Sequence, residues 1–95
     1  MNVTVRTILT FRDILGSREL ELFTPAGTTV MDLLQELMRR YGPPLRQVLW
    51  DARTESPATY VRILVNGQDI CFIEGLGTRL DEGDELLLLP PVAGG

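Results

Sequence analysis

Val30-Met31-Asp32-Leu33-Leu34-Gln35-Glu36-Leu37-Met38-Arg39-Arg40-Tyr41 sets its apolar residues, Val30, Leu33, Leu34, Leu37, Met38 and Tyr41, three or four positions apart. That is the period of an amphipathic helix, with Asp32, Gln35, Glu36, Arg39 and Arg40 on the solvent side. Thr28 or Thr29 is suited to cap its start, and Gly42 followed by Pro43-Pro44 predicts a clean stop. Asp32 falls in the first turn and Arg39-Arg40 in the last, the placement that the helix dipole favours. Each large apolar side chain on this stripe contributes roughly 1.5 to 3 kcal/mol when buried, which makes the helix the main core element.

The segments around it read as strands. Upstream, Val3, Val5 and then Ile8-Leu9 alternate with polar residues as far as Phe11, a half-buried first strand. Arg12-Asp13-Ile14-Leu15-Gly16-Ser17 breaks the alternation with turn residues, and Leu20, Leu22 and Phe23 mark a second strand that closes a hairpin. Downstream, Leu45 to Trp50 fits one or two helical turns with Leu45, Val48 and Leu49 inward, and Asp51 to Ala58 reads as an exposed loop. Tyr60 to Val65 is a strand, Asn66-Gly67 is a hairpin turn, and Gln68 to Phe72 returns as a short strand. After an irregular stretch around Gly75, Gly77 and Thr78, Leu80 acts as an anchor, and Asp81-Glu82-Gly83-Asp84 turns tightly into a last strand, Glu85 to Leu89. The order predicts an α+β fold, a mixed sheet of about five strands with one main helix on one face. The crossover through the helix lets the first and last strands lie parallel at the centre.

Behind the last strand stand Pro90-Pro91 and then Val92-Ala93-Gly94-Gly95. The prolines cannot donate to a ladder and hold Leu89 extended, so pairing is expected to end there. Residues 1–89 are then a folded domain and residues 90–95 an extended tail, reaching about 20 Å from Leu89 at ~3.3 Å per residue. Glycine has no Cβ, so a diglycine end can enter a channel that any side chain would block. The expectation is that the carboxylate of Gly95 is delivered into another protein's active site.

Composition narrows the function classes. The chain has 95 residues, 44% of them hydrophobic and 23% charged, with a net charge of −4, which suits one self-folding domain. Its basic residues form no patch, so no nucleic acid partner is expected. No apolar run approaches the ~20 residues of a membrane span and no signal peptide pattern opens the chain, so no membrane partner and a cytoplasmic location are expected. Histidine is absent and Cys71 is the single cysteine, which leaves no imidazole base, no internal disulfide and no thiolate metal cage. Flanked by Ile70 and Phe72, Cys71 reads as a small buried hydrophobe. All nine basic residues are arginine. Arginine bias as such explains this, and so does the gain to a protein with an activated C-terminus of carrying no lysine amine to attack it.

Phe11-Arg12-Asp13-Ile14-Leu15-Gly16, Val65-Asn66-Gly67, Leu80-Asp81-Glu82-Gly83-Asp84-Glu85 and above all Pro90-Pro91-Val92-Ala93-Gly94-Gly95 resemble the ubiquitin-like β-grasp sulfur carriers of the MoaD/ThiS family. The ending looks most like the small subunit of molybdopterin synthase. The length, the insertion at Asp51 to Ala58 and the stretch from Asn66 to Gly77 also resemble carriers for cysteine synthesis and prokaryotic protein modifiers. The resemblance implies that the protein binds no cofactor and is a carrier and co-substrate, not an enzyme. An E1-like adenylyltransferase would use ATP to adenylate Gly95, and a persulfide donor would convert the adenylate to a thiocarboxylate. The large subunit of molybdopterin synthase, or another sulfur-accepting enzyme, would then take the sulfur. In this scheme Gly94 and Ala93 permit channel entry, Val92 and Pro91 position the tail, and Leu87 and Leu89 contribute to docking. Arg12 and Arg62 are candidates to meet a partner carboxylate, with solvated strand-edge arginines as the plainer reading. A protein modifier joined through Gly95 to lysines of targets, and a binding module in which the diglycine is incidental, stay open as alternatives.

Overall fold

The computed structural model describes residues 1–91. β1 (Asn2–Thr7) alternates as read, burying Val3, Val5 and Thr7. It ends four residues short of Phe11, because Leu9–Leu15 is a helix, α1. Phe11 and Leu15 stand four apart and both are buried, a helical spacing that outweighs the apparent alternation, and Gly16 (φ 77°) caps the helix by donating its N–H to Arg12 O at 2.8 Å. The expected turn at Arg12 to Ser17 is therefore mostly helix. The hairpin partner was read correctly: β2 (Glu19–Phe23) runs antiparallel to β1, from Asn2↔Phe23 to Arg6↔Glu19.

α2 (Val30–Tyr41) matches the helix read from the sequence residue for residue. Thr29 is its cap and forms a capping box: Asp32 N–H donates to Thr29 Oγ1 at 3.2 Å and Thr29 N–H to Asp32 Oδ2 at 3.0 Å. Gly42 ends the helix at φ 66°, and the prolines then begin a new one, α3 (Pro43–Leu49). Proline in a first turn forfeits no helical hydrogen bond, so the pair expected to stop one helix also starts the next. Leu45 and Leu49 of α3 are buried, whereas Trp50 belongs to β3 (Trp50–Asp51). β3 pairs with β4 (Ser56–Pro57), so the expected loop at Asp51 to Ala58 is a small hairpin with an exposed tip.

β5 is shorter than read, Arg62–Val65, since Tyr60 lies at φ 70° and is 81% exposed. Asn66 (φ 50°) and Gly67 (φ 83°) form the turn into β6 (Gln68–Asp69), the two positive φ values that tight hairpins need. The chain then leaves the sheet in 3₁₀ turns at Ile70–Phe72 and Gly75–Gly77, so the strand expected to run to Phe72 stops at Asp69. Buried Leu80 precedes the Asp81 to Asp84 turn and β7 (Glu85–Leu89) follows it, both as expected.

The sheet order is β2-β1-β7-β5-β6, with β7 parallel to β1 and antiparallel to β5. Val3, Val5, Leu22, Ile63, Leu86 and Leu88 of the sheet share one core with Phe11, Leu33, Leu34, Leu37, Leu45 and Leu49 of the helices. Among the described residues α2 is the main helix against the mixed five-stranded sheet, joined by the shorter α1 and α3.

Candidate functional site

β7 occupies the middle of the sheet, and the alternation of its side chains sorts structure from surface. Leu86 and Leu88 are fully buried in the core, while Glu85, Leu87 and Leu89 are half-buried on the opposite face. Two devices fix where this strand begins. Asn66 donates from Nδ2 to Asp84 Oδ1 at 2.9 Å and accepts from Glu85 N–H at Oδ1, also at 2.9 Å. Gly83 N–H donates to Asn2 O at 2.8 Å and Thr4 N–H to Asp84 O at 2.9 Å, tying the turn to β1. Beyond the strand Pro90 is buried and Pro91 exposed. Val92, Ala93, Gly94 and Gly95, the core of the expected reactive tail, lie outside the described residues.

The register gathers the expected docking residues on one face. Leu87 stands between Arg6 of β1 and Leu64 of β5, and Leu89 stands opposite Arg62. Beside Leu87 a groove of about 680 Å³ is walled by Ile8, Leu9, Arg12 and Arg18 as well as Arg6 and Glu85. Leu87 and Arg12, seventy-five positions apart in the sequence, thus share one concavity because β7 lies parallel to β1 and α1 leaves the end of β1. Ile8 and Leu9 are 41% and 58% exposed, unusual for side chains of this size, and give the groove an apolar lip.

Of the two arginines only Arg12 departs from the strand-edge placement expected. Arg12 lies on α1, and neither it nor Arg18 makes an ion pair with another described residue. Arg62 begins β5, where β7 alone pairs with the strand, and its Nε donates to Asp69 Oδ2 at 3.1 Å. Arg6 is shared between Glu85 at 3.0 Å and Glu19 at 3.5 Å. The face therefore combines half-buried leucines with guanidinium groups, two of them uncommitted to described acids, and suits a partner surface of apolar and acidic character.

A model of the ThiS family matches residues 8–95. The chain belongs to the ThiS family. ThiS-family relatives identical at 30% include small archaeal modifier protein 3 of Haloferax volcanii and sulfur carrier protein CysO of Mycobacterium tuberculosis, each matched over the whole of both chains. The molybdopterin synthase sulfur carrier subunit of Drosophila yakuba is also 30% identical, over all of this chain and 92% of that one. Among solved structures, SAMP1 of Haloferax volcanii superposes with a TM-score of 0.84 at 26% identity over the whole of both chains. The fold is the ubiquitin-like β-grasp. The relatives are named as sulfur carriers and small modifiers, and the chain belongs with that group of small proteins.

Cys71 departs from its expected role as a buried hydrophobe and is exposed. Asp69 explains its chemistry: the aspartate accepts Cys71 N–H at 3.0 Å, which with the thiol's own hydrogen bond holds the carboxyl below its usual range. The thiol's hydrogen bond to Asp69, with slight desolvation and the carboxylate charge behind it, pushes the thiol above its usual range. A thiol held in its neutral form is a poor nucleophile. Sequence reasoning also missed Arg6, Ile8, Leu9 and Arg18 as parts of the groove. For Ile8 and Leu9 the signal is the helix hidden in Leu9–Leu15, which turns these two apparent strand positions into a corner beside Leu87.

Proposed function

We propose that this protein is a sulfur carrier whose Gly95 carboxyl is adenylated and then converted to a thiocarboxylate. The observation that carries the reading is the family match, which runs through the Pro90-Pro91-Val92-Ala93-Gly94-Gly95 segment to residue 95. An α-carboxyl has a pKa of about 3.3 to 3.7 and is an unreactive carboxylate at neutral pH. In the proposed route a carboxylate oxygen attacks the α-phosphorus of ATP on an E1-like enzyme, pyrophosphate leaves, and a mixed anhydride with AMP remains. A persulfide then attacks the carbonyl and displaces AMP. A second thiol cleaves the resulting acyl disulfide, leaving sulfur on Gly95 and a disulfide on the donor. The carrier brings the glycine tail and a docking face of Leu87, Leu89 and the neighbouring arginines; the partners bring ATP, acid–base groups and the acceptor.

We assign molybdopterin synthesis as the destination, with a synthase large subunit holding the pterin precursor at the tail. The likeness of the Pro-Pro-Val-Ala-Gly-Gly ending and the relative from Drosophila yakuba support that assignment. Conjugation to lysines of target proteins is the second reading, favoured by the relative named a small archaeal modifier protein. Delivery of sulfur to cysteine or another thio-metabolite uses the same activated glycine. The experiment that separates them offers the thiocarboxylated protein to a molybdopterin synthase large subunit with the pterin precursor. Loss of the thiocarboxylate in step with dithiolene formation supports the assignment. A thiocarboxylate that survives this mixture but forms amide adducts with lysines in host lysate redirects it to protein modification.

A further inference from the structure

The sheet ends at β2, whose outer edge the carrier reading leaves unused. Among the described residues β2 pairs with β1 alone. Met1 and Thr24 exchange both backbone bonds, at 2.6 and 2.8 Å, and Thr7 N–H donates to Arg18 O at 2.9 Å. In an antiparallel ladder such pairs alternate with residues whose peptide groups point the other way. The inward set on this side is therefore Arg18, Leu20, Leu22 and Thr24, and Glu19, Glu21 and Phe23 direct N–H and C=O outward. Ser17 blocks the first of these, its hydroxyl donating to Glu19 O at 2.6 Å and accepting from Glu19 N–H at 3.2 Å. No side chain of a described residue plugs Glu21 or Phe23 in this way. The open edge is thus confined to these two residues.

A groove of about 380 Å³ lies beside that edge, between Leu22 and Phe23 of β2 and Leu33, Glu36 and Arg40 of α2. Its helical wall runs two turns from Asp32 to Arg40, about 12 Å at 1.5 Å per residue. That is the length of about four extended residues. Phe23 stands next to it, 81% exposed.

Charge selects the occupant. A second copy joining edge to edge would set the acidic row of Glu19 and Glu21 against itself, and like charges directly opposite one another oppose pairing. A strand with a cation opposite Glu21 is attracted, an arginine opposite Phe23 can lie on its ring, and the residue between them faces inward over Leu22 and must be apolar. The net charge of −4 acts in the same direction. We propose that the β2 edge and the β2–α2 groove bind, by strand addition, an extended segment of another protein in which apolar residues alternate with lysine or arginine.

The test is a titration of isotope-labelled full-length protein with the blocked peptide Val-Arg-Val-Arg-Val, followed by amide shifts and hydrogen exchange. The proposal predicts shifts at Glu21, Phe23 and along Leu33 to Arg40, with slowed exchange of the Glu21 and Phe23 amides. Glu21→Lys should weaken binding about threefold to tenfold, as reversing one cross-strand charge pair implies. The same peptide N-methylated at alternate amides should not bind, a control that does not depend on any variant folding. Binding should persist in a chain lacking Gly94 and Gly95, which separates this site from the carrier chemistry. Equal binding by Val-Glu-Val-Glu-Val, indifference to N-methylation, shifts confined to the Leu87 face, or no shifts at all would each overturn the proposal. Concentration-dependent shifts at Glu21 and Phe23 without peptide would overturn it too, by assigning the edge to a second copy.

Discussion

Leu87 and Leu88 are neighbours on the central strand whose side chains face opposite ways, so with Leu87 in the proposed docking face, truncating each to alanine should separate folding from docking. Leu88 is fully buried, with β1 and β5 hydrogen-bonded on either side of it and the helices over it. Leucine-to-alanine changes at such sites cost about 2 to 5 kcal/mol, and a strand held on both edges has little freedom to collapse into the cavity. A cost of about 3 kcal/mol lowers the melting temperature of a domain of this size by about 12 to 24 °C. Leu87 is half-buried on the open face, and its truncation should cost under about 1 kcal/mol of stability, because only part of its surface leaves water on folding. At a docking face the order reverses. Losing a central leucine anchor typically costs about 1 to 2 kcal/mol of binding, a roughly five- to thirtyfold loss of affinity for the activating enzyme. Thermal unfolding reads the first effect, and titration of the E1-like enzyme by calorimetry reads the second. The reasoning fails if Leu87→Ala destabilises as much as Leu88→Ala, or if it folds normally and binds the enzyme with undiminished affinity.

Other consequences follow from single side chains. Asn66→Ala gives up two hydrogen bonds at the start of β7 and puts at φ 50° a residue that tolerates the left-handed region less well than asparagine, and together these should cost about 2 to 3 kcal/mol in urea unfolding. Asn66→Gly, free of the conformational penalty, should cost less, and a reversed order would refute the role given to this turn. Cys71 should alkylate slowly at pH 8 because Asp69 holds its thiol neutral, and Asp69→Asn should speed the reaction by moving the thiol back toward its usual range. The same aspartate has a depressed folded pKa, so its stabilisation is present above the unfolded carboxyl pKa and is lost as pH falls through the folded value. Wild type should therefore lose stability on acidification more steeply than Asp69→Asn; identical acid limbs would count against the Asp69 contacts.

What could be read from the chain was what local chemistry decides alone. The period of Val30–Tyr41, the Asn66-Gly67 turn and the run from Glu85 to Leu89 each have one structural solution, and each appears where read. The central parallel pairing of β1 and β7 followed from element order and crossover rules. The misreadings share a cause: short segments whose pattern fits two periods. Ile8-Leu9 with Phe11 alternates like a strand, but Phe11 and Leu15 also fit one helical face, and packing on α3 and β1 chose the helix. Pro43-Pro44 reads equally as an end and a beginning. Cys71 looked buried by its neighbours, yet a 3₁₀ turn leaves it and Phe72 in solvent. Of the proposed docking face, the shared side of Leu87, Leu89 and Arg62 was legible through strand alternation, whereas the place of Arg12, Ile8 and Leu9 beside Leu87 depended on the unseen helix.

The central claim is that Gly95 carries sulfur, and intact mass spectrometry tests it most directly. The full-length protein and a chain lacking Gly95 are incubated with the host's E1-like enzyme, ATP and a persulfide donor. The account predicts a mass gain equal to one oxygen replaced by sulfur, in the full-length chain alone. No gain with any E1-like enzyme of that host, with adenylate and target conjugates equally absent, would contradict it and leave a β-grasp module whose diglycine does no chemistry.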